Sequence, residues 1–195
     1  MQLHRMMLFV SRFMAVLGGI VLSVLVVLTC VSVLGRGINT FLHSDLIEGM
    51  MPGVAETLLA TGVGPVQGDY ELVEAGIAFA IFAFLPLCQI TAGHASVDIF
   101  TSKFPVRVNR FIQLIVELLF AAVLIVIAWR LYEGMLSKKS YNETTFLLQF
   151  PIWWAYAVSL VSAVLAAVVG VYMAGVRIIE FVTMRTIAAT AEVDH

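Results

Sequence analysis

Long apolar runs separated by short polar segments form the dominant pattern of the chain. The runs cover about 13–34, 72–90, 111–129 and 152–176. Each is close to the roughly 20 residues that an α-helix needs to cross ~30 Å of hydrocarbon. An open β-strand in lipid would leave its backbone N–H and C=O groups without hydrogen bonds, and the runs lack the alternation of apolar and polar residues found in barrel strands. The pattern therefore predicts an all-α integral membrane protein with four transmembrane helices, and a single membrane domain over residues 1–195.

The polar segments predict the topology. The N-terminus, the second connection and the C-terminus together hold 7 Lys and Arg residues, whereas the first and third connections hold 4. Because positive charge is retained on the cytoplasmic side, both termini are predicted to be cytoplasmic. The segment at about 41–69 is too acidic to span, and its apolar spacing predicts short interfacial helices on the outer surface. A similar spacing ahead of Pro105 predicts an interfacial helix on the inner side.

Composition narrows the classes of function. The chain is 61% hydrophobic and 12% charged, with a net charge of -2, so it offers no basic surface for nucleic acid. Cys30 and Cys88 fall toward opposite ends of two runs, too far apart for a disulfide. The sequence shows neither a nucleophile paired with a base at membrane depth nor two histidines that could face each other across a haem. We therefore expect no enzyme and no cofactor.

A few charged residues fall within or beside the runs. Glu117 lies inside the third run, where a charge costs roughly 3 kcal/mol or more, and Gln89 is predicted at the same depth. A hydrogen-bonded Glu117 that joins helices is favoured over an ion-coupling role, because no second acid is expected at that depth. Glu71 and Glu74, at the outer end of the second run, are predicted to pair with Arg36 across neighbouring spans.

Small side chains recur in the fourth run. They occupy every fourth position at Ser162, Ala166, Gly170 and Ala174. Such a stripe permits close helix approach, either within this subunit or against a partner, and both alternatives stay open.

Four short motifs carry a resemblance to a known family. They are Arg36 after the first run, Glu71-Leu72-Val73-Glu74, His94-Ala95-Ser96-Val97-Asp98, and Glu143-Thr144-Thr145 followed by Pro151-Ile152-Trp153-Trp154. In combination they resemble the small (Q-type) membrane subunit of tripartite ATP-independent periplasmic (TRAP) transporters. The first connection is longer here than that family's usual short link.

The resemblance implies a multi-pass permease subunit of the bacterial inner membrane. Its implied partners are a large multi-span membrane subunit, a periplasmic substrate-binding protein and the lipid bilayer. The implied process is secondary-active uptake of an organic acid, driven by a sodium gradient, with the small subunit as a static scaffold. In this setting the segment at about 41–69 is periplasmic.

The candidate residues are structural or interface positions, and no catalytic, substrate-binding or metal site is predicted. They are Arg36, Glu71, Glu74, His94, Asp98, Glu117, Glu143, Trp153, Trp154, Ser162, Ala166, Gly170 and Ala174. The motif around Asp98 is interpreted as a structural corner, with Ser96 or Asp98 capping the short inner helix. The alternative from another class is an autonomous, oligomeric ion or drug transporter that couples through Glu117 or Glu74.

Overall fold

Four long helices make up the described part of the chain. The computed structural model describes residues 2–44, 64–91 and 105–183. The helices are α1 (Gln2–Leu42), α2 (Asp69–Ile90), α3 (Val106–Ser140) and α4 (Trp153–Thr183). All four are long and apolar enough to cross a membrane, which confirms the all-α class with four transmembrane helices. The predicted interfacial helices fall largely on 45–63 and 92–104, outside the described residues, and the cytoplasmic placement of the termini stays a prediction.

The helices extend beyond the apolar runs. The fourth apolar run ends at about 176, immediately before a charged residue, and α4 continues past it to Thr183. Apolar residues resume at Ile178 and Ile179, and both Arg177 and Glu180 are buried. The run marks where the first charge interrupts the apolar sequence, and the helix itself continues for seven residues beyond it. Two charged side chains are thereby placed in the protein interior.

Helix α4 occupies the centre of the arrangement. It packs against α3 on one side and α2 on the other, and α2 also packs against α1. Half of the most apolar stretch of α4 is buried, compared with 28% or less in each of the other three helices. The order across the bundle is therefore α1, α2, α4, α3, and the outer helices present most of the apolar surface.

Small residues allow these helices to approach closely. The stripe predicted from the sequence is buried within the subunit, at Ser162, Ala166, Gly170 and Ala174. A Cβ atom on Gly170 would lie 3.1 Å from Leu124 Cδ1 and 3.5 Å from the Ala121 Cα of α3. Between α1 and α2, a Cβ on Gly18 would lie 2.8 Å from Ala83 Cβ. The hydrophobic effect does not drive helices together in lipid, so close van der Waals contact of this kind must hold them. The stripe on α4 therefore packs within the subunit's own core.

Candidate functional site

A cluster of buried polar side chains joins three helices. In the predicted topology this end of the bundle is cytoplasmic, so we call Gln89, Glu117, Arg177 and Glu180 the inner polar cluster and use outer for the opposite end. Each of the four residues is 8% exposed or less. Gln89 Nε2 at the end of α2 donates a hydrogen bond to Glu117 Oε2 of α3. Arg177 Nη1 donates to Glu180 Oε2 at 2.8 Å, one turn along α4, and Arg177 Nε lies 3.8 Å from Glu117 Oε1.

The inner polar cluster can hold helices together because its charges are paired. A buried charge is costly unless a counter-charge and hydrogen bonds compensate it. The predicted hydrogen-bonded role of Glu117, at the depth of Gln89, agrees with this geometry. The expectation that no second acid lies at that depth was wrong, because Glu180 enters from α4 with Arg177 between the two acids. Arg177 and Glu180 are spaced i, i+3 in sequence that remains apolar, and this spacing could have predicted a buried ion pair on α4.

At the other end of the bundle, Asp69 links α1 to α2. Ser32 Oγ donates to Asp69 Oδ2 at 2.5 Å, and Arg36 Nη2 lies 3.6 Å from the same oxygen. The predicted pairing of Arg36 with Glu71 or Glu74 was therefore wrong. Successive helical residues are rotated by about 100°, so Glu71 points roughly 200° away from Asp69 around α2. Asp69 thus faces α1, and Glu71 faces the segment ahead of α4.

Glu71 holds that segment, residues 141–152, which we call the outer loop. Leu147 N donates to Glu71 Oε1 at 2.6 Å, and Leu148 N donates to Glu71 Oε2 at 2.9 Å. Gly68, just before α2, has a φ of 75°, and a Cβ there would lie 2.4 Å from Leu148 Cγ. The start of α2 thus contacts the outer loop in two ways. Glu71 accepts charge-assisted hydrogen bonds from the loop, and the absence of a side chain on Gly68 lets Leu148 pack against it.

The Glu-Thr-Thr and Pro-x-Trp-Trp motif closes the outer loop on itself. Thr144 and Pro151, one from each half of the motif, form an antiparallel β-bridge. Lys138 Nζ donates to Glu143 Oε2 at 2.6 Å, which attaches the loop to the end of α3. The motif is therefore a structural turn between α3 and α4.

The two tryptophans of the motif start α4. The Trp153 and Trp154 rings make an edge-to-face contact with centroids 6.2 Å apart, and Lys139 Nζ lies 5.3 Å from the Trp153 ring centroid. Amphipathic rings at a helix end suit the membrane interface.

The remaining candidates are less constrained by the structure. Glu74 is exposed on α2 and lines a cavity next to the outer loop. His94 and Asp98, and with them the predicted corner, lie outside the described residues. Within 2–44, 64–91 and 105–183, no group of three or more His, Cys, Asp or Glu side chains could hold a metal ion. Cys30 and Cys88 are both free thiols.

Comparison with known families gives a match over most of the chain. Residues 25–179 match the family described as Tripartite ATP-independent periplasmic transporters, DctQ component. No curated protein and no solved structure matches the chain. The matched range contains all four motifs that carried the resemblance and every member of the inner polar cluster except Glu180. The chain therefore belongs to the DctQ component family of TRAP transporters, as a small membrane subunit of the inner membrane whose partners are a large membrane subunit and a periplasmic substrate-binding protein.

Proposed function

We propose that this subunit is a static scaffold in a sodium-driven, binding-protein-dependent transporter for an organic acid. In this proposal the large subunit carries the substrate and the coupling ion. The small subunit performs no catalysis and carries no substrate site of its own; it holds a stable apolar flank against its larger partner.

The state of Glu117 is the observation that carries the scaffold proposal. A coupling acid must exchange its ion with water on either side of the membrane, which favours a polar convergence at a cavity or an interrupted helix. Glu117 is instead buried against Gln89 and Arg177, in continuous helix. A paired acid of this kind supports a role in joining helices.

The outer surfaces of α1 and α3 support the same proposal. Large apolar side chains on both helices are well exposed, among them Phe9 at 71%, Val27 at 62% and Leu119 at 60%. Such surfaces can contact lipid or the helices of a larger membrane protein, which associate through van der Waals packing. The exposed apolar surface of these two helices is thus available for contact with a larger membrane subunit.

Transport by the reconstituted three-component system tests the scaffold role. We expect Glu117→Gln to retain substantial uptake of a radiolabelled organic acid and an unchanged sodium dependence. A glutamine side chain at this position can still hydrogen-bond Gln89, so the helix contact survives. Glu133→Gln, an exposed acid near the outer end of α3, is the matched control.

Two results would contradict parts of the proposal. Loss of sodium coupling in a correctly assembled Glu117→Gln complex would place Glu117 in ion translocation. Uptake that ignores the sodium gradient, or that rejects organic acids in favour of another solute, would remove the proposed energy source or substrate while leaving the family assignment intact.

An autonomous carrier is the competing function, coupling through Glu117 or Glu74. Glu74 supports this alternative, because it is exposed and lines a cavity. Purification separates the two functions. A scaffold should co-purify with the large subunit and show no transport alone in liposomes, whereas a carrier should transport by itself.

A further inference from the structure

A cavity of about 270 Å³ lies between the outer halves of α2 and α3. Helix α4 and the outer loop also contribute residues to its lining. Away from the inner polar cluster, α2 and α3 make little contact with each other, because each packs on α4. A lipid could therefore reach the cavity through the gap between α2 and α3. Residues that line it include Glu71, Glu74, Leu131, Phe150, Tyr156 and Ser159.

Among the described residues, neither acid of this cavity forms an ion pair. Ser159 is 1% exposed, and its Oγ has no hydrogen-bond partner within the described residues. Glu74 lies five residues into α2 and Ser159 six residues into α4, so both are about 8–9 Å below the helix ends at ~1.5 Å per residue. None of the described residues that line the cavity is basic. An unsatisfied hydroxyl and a carboxylate at one depth match a ligand that donates hydrogen bonds and carries positive charge.

We propose that this cavity binds the headgroup of an ethanolamine phospholipid. A primary ammonium offers three N–H donors, enough to serve both the Glu74 carboxylate and the Ser159 hydroxyl. Below them the cavity wall is apolar, at Ala75, Ala78 and Leu131, and suits the start of an acyl chain.

This headgroup is distinguishable from the other common ones. A choline headgroup is equally charged but cannot donate a hydrogen bond from its nitrogen, and a glycerol headgroup carries no positive charge to meet Glu74. The proposal concerns lipid retention and does not rest on the scaffold role, so either can fail without the other.

Lipid competition on the purified complex of this chain and the large subunit tests the proposal. The complex is delipidated in mild detergent, equilibrated with equimolar ethanolamine, choline and glycerol phospholipids of matched chains, and analysed by native mass spectrometry. We expect the ethanolamine lipid to be retained about tenfold over each competitor. Equal retention of the three lipids would overturn the proposal without any variant being needed.

Variants locate the binding to this cavity. Glu74→Gln and Ser159→Ala should each reduce the preference for the ethanolamine lipid several-fold, while Glu133→Gln, an acid outside the cavity, should leave it unchanged. Size-exclusion chromatography verifies that each complex is assembled. Unchanged preference in both cavity variants would refute the site. Binding of sodium alone, or a preference present in the isolated subunit but lost in the complex, would assign the cavity to an ion or to a basic side chain of the large subunit instead.

Discussion

Removal of Arg177 is the sharpest test of the inner polar cluster. Its guanidinium lies 2.8 Å from a Glu180 oxygen and 3.8 Å from a Glu117 oxygen, with its side chain 9% exposed. At an effective dielectric constant of 20, the shorter contact alone is worth about 6 kcal/mol before desolvation is subtracted. Arg177→Met removes the cation that lies between Glu117 and Glu180 and keeps both buried acids. Breaking a buried pair in this way costs about 3–5 kcal/mol.

The measurement is thermal unfolding of the purified subunit in detergent, followed by loss of the monodisperse peak in size-exclusion chromatography. At about 2–4 °C per kcal/mol for a chain of this size, Arg177→Met should lower Tm by about 6–20 °C. Arg130→Met is the control, because the Arg130–Glu133 pair is exposed and such pairs contribute about 0–1 kcal/mol.

A neutral version of the inner polar cluster separates charge from packing. Combining Arg177→Met with Glu117→Gln and Glu180→Gln removes all three charges, and replacing a whole buried ion cluster by neutral side chains is often tolerated. Most of the lost Tm should therefore return. If Arg177→Met alone melts like the wild-type subunit, the guanidinium is not the counter-charge that holds these acids, and the reasoning is refuted.

Further predictions concern the outer end of the bundle. Gly68→Ala should lower Tm, because a Cβ at φ 75° is strained and would overlap the outer loop, whereas Gly37→Ala, with open space around it inside α1, should leave Tm unchanged or raise it slightly. Ser32→Ala should destabilise more than Arg36→Ala in the same melting assay, because Ser32 is fully buried and Arg36 is largely exposed; the reverse order would contradict the assigned contacts. Glu71→Gln should speed limited proteolysis within the outer loop, since an amide presents one acceptor where the carboxylate presents two, and an unchanged rate would show that the loop is held by other contacts.

The sequence predicted the number and type of helices because bilayer thickness imposes a minimum length on each apolar run. It did not predict where the helices end. Charged residues stop the apolar run but not the helix, as α4 shows by continuing past Arg177 to Thr183. Hydropathy reports transfer into lipid, whereas the helix end depends on whether the next side chains find partners inside the protein.

The individual contacts were harder to predict than the helices. Depth along the membrane was enough to match Glu117 with Gln89, because both positions are counted from the helix ends. Depth was not enough for Arg36, since three acids stand near the start of α2 and only rotation about the helix axis selects Asp69. That rotation is fixed by packing of α2 on α1, which a single sequence does not reveal.

Helix α2 takes part in most of the polar contacts that connect the helices of the bundle. It is the shortest of the four helices, at 22 residues, yet each of its ends is attached to a different neighbour. Asp69 connects it to α1 and Glu71 to the outer loop, while Gln89 connects its inner end to α3. Because these partners are far apart in the sequence, displacement of α2 along its axis would disrupt contacts at both ends at once. A flank built in this way resists sliding, the property that the proposed scaffold requires when a larger partner moves against it.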